Sequence, residues 1–196
     1  HRARNHAPFL ARALDRQPEL DALLAKGEGE AALAWARAQG DGGDAEVALR
    51  RERLALAAAL AVGDLAGAFP LTQVVGELTA FADRALDCAI RTAITERTDS
   101  DTTDGFIALA LGKQGAGELN YSSDIDPIFL YDPETLPCRP RNNHFVLCGQ
   151  LRQMFQQKMH HHPIIQRIRI ADIVACDGFC PRQARWRKGL IWARQT

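Results

Sequence analysis

The chain has no apolar run approaching the roughly 18 residues that a membrane-spanning helix needs. Leu54–Leu60 is too short and too rich in alanine to be one, so no membrane partner is expected. Net charge is missing as well: 24 Lys and Arg balance 24 Asp and Glu, which removes any bulk attraction toward nucleic acid or an anionic surface. No nucleic-acid partner is expected. The five cysteines (Cys88, Cys138, Cys148, Cys176, Cys180) are odd in number and lack the regular spacing of a secreted disulfide framework. A reducing compartment follows, with cytoplasm as the expectation. No Met precedes His1, which reads as a fragment whose true start is missing. No internal repeat of about 20–50 residues is visible.

What is present is an ordinary globular balance, 46% hydrophobic and 24% charged over 196 residues. That length suits one domain or one and a half. The balance hides an uneven distribution. Residues 1–141 hold 22 acidic and 15 basic side chains, whereas 142–196 hold 2 acidic and 9 basic. Alanine falls from 28 to 4 across the same point, and both Met, three of the five Cys and four of the six His lie beyond it. So abrupt a change marks a domain junction, a basic tail or a segment of foreign origin.

Residues 8–38 read as helices separated around Gly27–Gly29, and the turn-rich Gly40–Asp44 breaks any helix there. Asp44 is placed to cap a helix over Ala45–Val62, with Gly63 as its stop. A second long helix starts at Pro70 and carries Leu71, Val74, Val75, Leu78, Phe81, Ala82, Ala85, Leu86, Ala89, Ile90 and Ala93 along one apolar stripe. Cys88 falls within that stripe, as core packing and not as a nucleophile. After a polar stretch the pattern changes to short apolar runs. Phe106–Leu111 and Ile125–Tyr131 have the length and composition of strands buried on both faces. Between them lies the glycine-rich loop Gly112–Ser123.

Asp124 and Asp126 are two apart at the start of an apolar strand, so both carboxylates share a face and Ile125 points the other way. That geometry suits Mg²⁺ or Mn²⁺, which take a few carboxylate oxygens completed by water and phosphate oxygens. Gly112, Gly115 and Gly117 let backbone amides approach a phosphate, Lys113 offers a charge, and Ser122 and Ser123 offer hydroxyl donors. A bland reading stays open beside it: Ser122-Ser123-Asp124 as a turn or cap, with the glycines as a flexible hairpin. In the basic part, His160–His162 with Cys176 and Cys180 lack the two-pair spacing of a structural zinc site and read as ordinary exposed residues. Arg182–Arg194, with Trp186 and Trp192, has the mix of basic and aromatic residues that could face RNA, DNA or an anionic membrane, with a solvated basic end as the plainer reading.

Leu111–Tyr131, LGKQGAGELNYSSDIDPIFLY, resembles the G-K-L-G-G-x-E-L-N-x-S-S-D-I-D-L-I-F signature of the bacterial glutamine synthetase adenylyltransferase/deadenylylase family. Upstream, Ala7–Leu10, Leu49–Arg51 leading to Asp64-Leu65, and Phe69–Leu71 are similar to the helical segment before that family's first catalytic domain, so the resemblance covers about residues 7–137. It implies two nucleotidyltransferase-fold domains in the full-length enzyme, the N-terminal one removing AMP from a tyrosine of glutamine synthetase by phosphorolysis and the C-terminal one adding it. This chain resembles the N-terminal half. Carried over, Asp124 and Asp126 are metal-binding catalytic carboxylates, and Gly112, Lys113, Gly115, Ser122 and Ser123 line the phosphate side. Mg²⁺ or Mn²⁺, ATP or ADP and phosphate are the implied cofactors and substrates. Glutamine synthetase is the implied partner, with glutamine, the PII signal protein and ATP as regulators.

The chain departs from the signature at Gln114, where the family usually has Leu, at Ala116, where it has Gly, and at Pro127, where it has Leu. The family's third carboxylate, in a motif resembling D-L-R-L-R-P, has no clear counterpart; Asp172, after Arg167-Ile168-Arg169-Ile170, has the wrong order of acid and arginines. The expected fold is α+β: a helical segment over 1–103, a partial nucleotidyltransferase core with a mixed sheet over 104–141, and a basic tail over 142–196 that pairs poorly with the acidic strand. A catalytic fragment is set against a noncatalytic helical interaction module or an inactive relic of the enzyme.

Overall fold

The computed structural model describes residues 2–97, 102–131 and 173–175. The fold is α+β. Helices α1 (Arg2–His6), α2 (Pro8–Asp15), α3 (Pro18–Ala25), α4 (Gly29–Ala38), α5 (Ala45–Leu65) and α6 (Leu71–Arg97) precede strand β1 (Phe106–Ala110), the short helix α7 (Gly112–Ala116) and strands β2 (Pro127–Tyr131) and β3 (Ile173–Ala175). The chain divides into two compact units, His1–Phe81 and Ala82–Thr196. Among the described residues no helix is long and apolar enough to cross a membrane.

In the first unit, Pro8 and Pro18 sit in the first turns of α2 and α3, where a missing amide costs no hydrogen bond. Asp44 caps α5 as its position predicts, its Oδ1 accepting from the Val47 amide at 3.0 Å. The core is built from small and branched side chains: Leu10, Leu14, Leu20, Leu33, Leu56 and Leu60, with alanines at 32, 36, 55, 58 and 59. Polar ties join helices distant in sequence. The Arg37 guanidinium forks onto the Glu77 carboxylate, with Nε 3.0 Å from Oε2, and Arg4 bridges Asp15 and Asp21, the latter at 2.9 Å.

Two helix boundaries differ from the sequence expectation. Gly63 does not stop α5, which runs on to Leu65 and ends at Ala66, followed by Gly67 at φ 70°. Gly63 is instead a close-approach site: a Cβ there would lie 2.2 Å from Cδ2 of the buried Phe69 ring. The long helix begins at Leu71, one residue after Pro70, whose carbonyl accepts from Gln73 and Val74. Leu71 itself is 72% exposed and leaves the apolar stripe, while Val74, Leu78, Phe81, Ala82, Ala85, Leu86, Ile90 and Ala93 are buried on it.

In the second unit the sheet order is β1-β2-β3, with β1 antiparallel and β3 parallel to the central β2. The register runs from Phe106 opposite Tyr131 to Ala110 opposite Pro127, and Phe129 lies opposite Ile173. The strands are not equally buried on both faces as expected. Phe106, Ala108 and Ala110 are buried and Ile107 and Leu109 half-buried, the alternation of a sheet with one covered face. Phe106 and Phe129, diagonal neighbours across the ladder, meet with ring centroids 5.4 Å apart. The basic tail was expected to leave the acidic strand's edge open. Ile173–Ala175 pairs with it instead, so three residues of that tail complete a mixed sheet.

The Gly63 contact yields a stability test. Gly63→Ala should lower the free energy of unfolding in urea by about 1–3 kcal/mol, because the methyl must displace the Phe69 ring. In a Phe69→Ala background the same change should cost little, and additive losses would place the strain elsewhere.

Candidate active site

The site is assembled at one end of the β1–β2 ladder. Because Ala110 lies opposite Pro127, the end of β1 that leads into α7 and the start of β2 that follows Asp126 are side by side. Residues 111–126 are thus an excursion that leaves and returns at the same edge.

The glycine-rich stretch, expected as a loop, contains the short helix α7. Its position depends on Gly115, where a Cβ would stand 2.5 Å from the Ala110 carbonyl oxygen, so only glycine lets α7 rest on the end of β1. The Gly115 amide donates to the Leu111 carbonyl at 3.2 Å. Gly112 at φ 55° and Gly117 at φ 75° make the left-handed turns into and out of the helix. Lys113 is exposed, and Glu118 donates its amide to the Lys113 carbonyl at 2.7 Å.

The turn before the carboxylates is closed by Asn120, which the sequence reading passed over. Its Oδ1 accepts from the Ser122 amide at 3.0 Å and from the Ser123 hydroxyl at 2.9 Å, while its own amide donates to Ser123 Oγ at 3.0 Å. An Asx turn of this kind is signalled by Asn two residues before a Ser, although many such pairs do nothing of the sort. The two serines are therefore unequal. Ser123 spends its hydroxyl proton inside the turn, and Ser122 is exposed.

Asp124 is exposed, Ile125 buried, Asp126 half-buried and Pro127 buried, so the period of two continues from β2 back through both acids. Neither carboxylate takes a hydrogen bond or ion pair among the described residues. Two open oxygen donors on one face fit a divalent cation that keeps water and phosphate oxygens in its shell. Among the described residues no group of three His, Cys, Asp or Glu side chains could hold a metal. Asp172, His160–His162, Cys176, Cys180 and the stretch Arg182–Arg194 lie outside the described residues. Cys88 is half-buried on α6, and burial pushes its thiol above the ordinary range, which suits packing better than nucleophilic chemistry.

Comparison with known proteins gives the family. The sequence profile of the family described as glutamate-ammonia ligase adenylyltransferase matches residues 3–167. The chain belongs to that family. The match runs past residue 141, so the compositional break is not where the family likeness ends. Among relatives named bifunctional glutamine synthetase adenylyltransferase/adenylyl-removing enzyme, the one from Rhizobium meliloti is 35% identical over 148 residues, covering 68% of this chain and 15% of the relative. The Caulobacter vibrioides protein is 36% identical over 149 residues, with 67% and 15% covered. That from Xanthobacter autotrophicus is 40% identical over 107 residues, with 48% and 11% covered. The chain thus spans about 15% of the length of the first two relatives.

Each departure from the family signature has a local explanation. Ala116 is exposed, and no non-glycine residue among those described has positive φ, so that position does not require glycine. Pro127 is the first residue of β2, where proline is tolerated at the start of a ladder. Gln114 is buried and donates from Nε2 to Asp83 Oδ1 at 2.9 Å.

Charge on the shared face is the property to test. Asp124→Asn with Asp126→Asn should abolish Mg²⁺- or Mn²⁺-dependent nucleotide binding measured by calorimetry. Unchanged affinity in the double variant would refute the assignment.

Proposed function

We propose that this chain is part of the deadenylylating half of a glutamine synthetase modifier, and that residues 104–141 begin its nucleotidyltransferase core. The observation that carries the reading is the shared end of the β1–β2 ladder, where the glycine-rich helix and the Asp124–Asp126 pair meet. Family membership and the names of the relatives support the substrate.

In this reading Asp124 and Asp126 hold Mg²⁺ or Mn²⁺, which when bound neutralises charge on the phosphate oxygens. Gly112, Lys113 and Ser122 face the phosphate side, while Gly115 and Ser123 shape the backbone beneath it. An oxygen of inorganic phosphate attacks the adenylyl phosphorus. The new P–O bond gives ADP, the bond to the tyrosine oxygen breaks, and the phenolate takes a proton from the phosphate or from water. No side-chain nucleophile is needed, so the contribution of the protein is placement. The helical segment helps dock adenylylated glutamine synthetase, and PII acts as regulator in the cytoplasm.

A second reading, a noncatalytic interaction module or inactive relic, turns on whether a third carboxylate joins Asp124 and Asp126. The two readings are separated by ADP release from adenylylated glutamine synthetase and phosphate. We expect slow release by the chain as it stands, and an increase of about 10²-fold or more when residues 142–196 are replaced by a family-like segment carrying a third carboxylate. Retention of glutamine synthetase in a pull-down with no ADP from either protein would favour the interaction module. Equal, substantial turnover by both would mean that an acid of the present tail completes the site.

A further inference from the structure

Gln114 is a buried polar residue of the glycine-rich segment that the proposed chemistry does not use. Its side chain is 2% exposed, yet only half of its amide is satisfied: Nε2 donates to Asp83 Oδ1 at 2.9 Å, and Oε1 has no hydrogen-bond partner among the described residues. A buried amide with one orphaned atom is tolerated only if its remaining bond is worth keeping. That bond joins α7 to α6 within the unit Ala82–Thr196. The Gln114 carbonyl also accepts from the Gly117 amide at 3.0 Å, so the same residue holds both the side and the C-terminal end of α7.

A five-residue helix has too few internal hydrogen bonds to hold itself in place. Two contacts locate this one: Gly115 against the Ala110 carbonyl, and Gln114 against Asp83. The first fixes how closely α7 approaches β1. The second opposes rotation about that contact, because it acts from a different element. In the family signature the position of Gln114 is usually Leu, which has no polar group to offer Asp83.

We infer that Asp83 is a positioning residue, a polar anchor on α6 that sets the glycine-rich helix against the end of β1. The inference deepens the proposed function and rests on it only for its consequence, the presentation of Gly112 and Lys113 to a nucleotide phosphate. It carries a sign that additive energetics would not produce. Asp83→Ala alone strands the whole Gln114 amide in the interior, whereas removing both polar groups restores an apolar anchor. The double variant Asp83→Ala/Gln114→Leu should therefore behave better than Asp83→Ala.

The test compares the full chain with Asp83→Asn, Asp83→Ala and the double variant by amide hydrogen exchange and by ADP titration with Mg²⁺. In Asp83→Ala the amides of Gly115, Gly117 and Glu118 should exchange about tenfold faster while those of α5 are unchanged. Asp83→Asn, which keeps an acceptor, and the double variant should both return close to the parent. ADP affinity should follow the same order. Exchange at those three amides that ignores Asp83, or a double variant worse than Asp83→Ala, overturns the anchor. If the parent binds ADP but affinity does not follow exchange, the positioning role is overturned. If the parent binds no ADP, the proposed function fails and the exchange pattern alone decides the anchor.

Discussion

The candidate site depends on the closeness with which the backbone at Gly115 meets the carbonyl of Ala110. A side chain at Gly115 would begin 2.5 Å from that oxygen, well inside contact distance, so α7 reaches the sheet only because the residue has no Cβ. Ala110 is in turn opposite Pro127, which directly follows Asp126. One backbone contact and one ladder pair thereby link the glycine-rich helix to the carboxylates without any side-chain bond between them. Larger residues at Gly115 would lift α7 from the strand and move Lys113 with it, while leaving the acidic pair just before β2 undisturbed.

The polar residues around this contact divide their labour by range. Asn120 and Ser123 bond to each other across a single turn, a local network that costs little entropy to close because its members are near in sequence. Gln114 reaches 31 positions back to Asp83, a contact that exists only once α6 and the sheet are formed. The first kind of interaction shapes the loop and the second fixes its place. This separation explains why two adjacent serines behave differently: Ser123 belongs to the turn, and Ser122 remains exposed at its surface.

The same distinction of range governs what could be read from the sequence. The Asp44 cap, the helical stripe of α6 and the alternation through Asp124 and Asp126 are set by neighbours three, four or two residues apart, and each was legible. Gly63 looks like a helix stop from its near neighbours, but its reason for being glycine is Phe69, a ring that returns only after the chain has turned. The glycine-rich segment looks like a loop in sequence since glycines disfavour helix, and the packing that stabilises α7 is tertiary. The strand Ile173–Ala175 is three residues long, too short for any periodicity to announce it. Composition misled in the other direction: the charge break at 141 is real, yet the family likeness passes through it to residue 167.

The carboxylates that hold the helices together are compensated. Asp15 and Asp21 share Arg4, Glu77 is forked by Arg37, and Glu46 and Asp87 each meet an arginine four residues away. Asp124 and Asp126 have no such partner among the described residues, although Asp126 is half-buried and two negative charges on one face repel each other. A protein that needed these acids only for structure would be better served by Asn, which caps and turns equally well without repulsion. In the proposed function a bound cation would share that charge. The uncompensated pair is what the proposed metal–nucleotide site rests on at this end of the ladder.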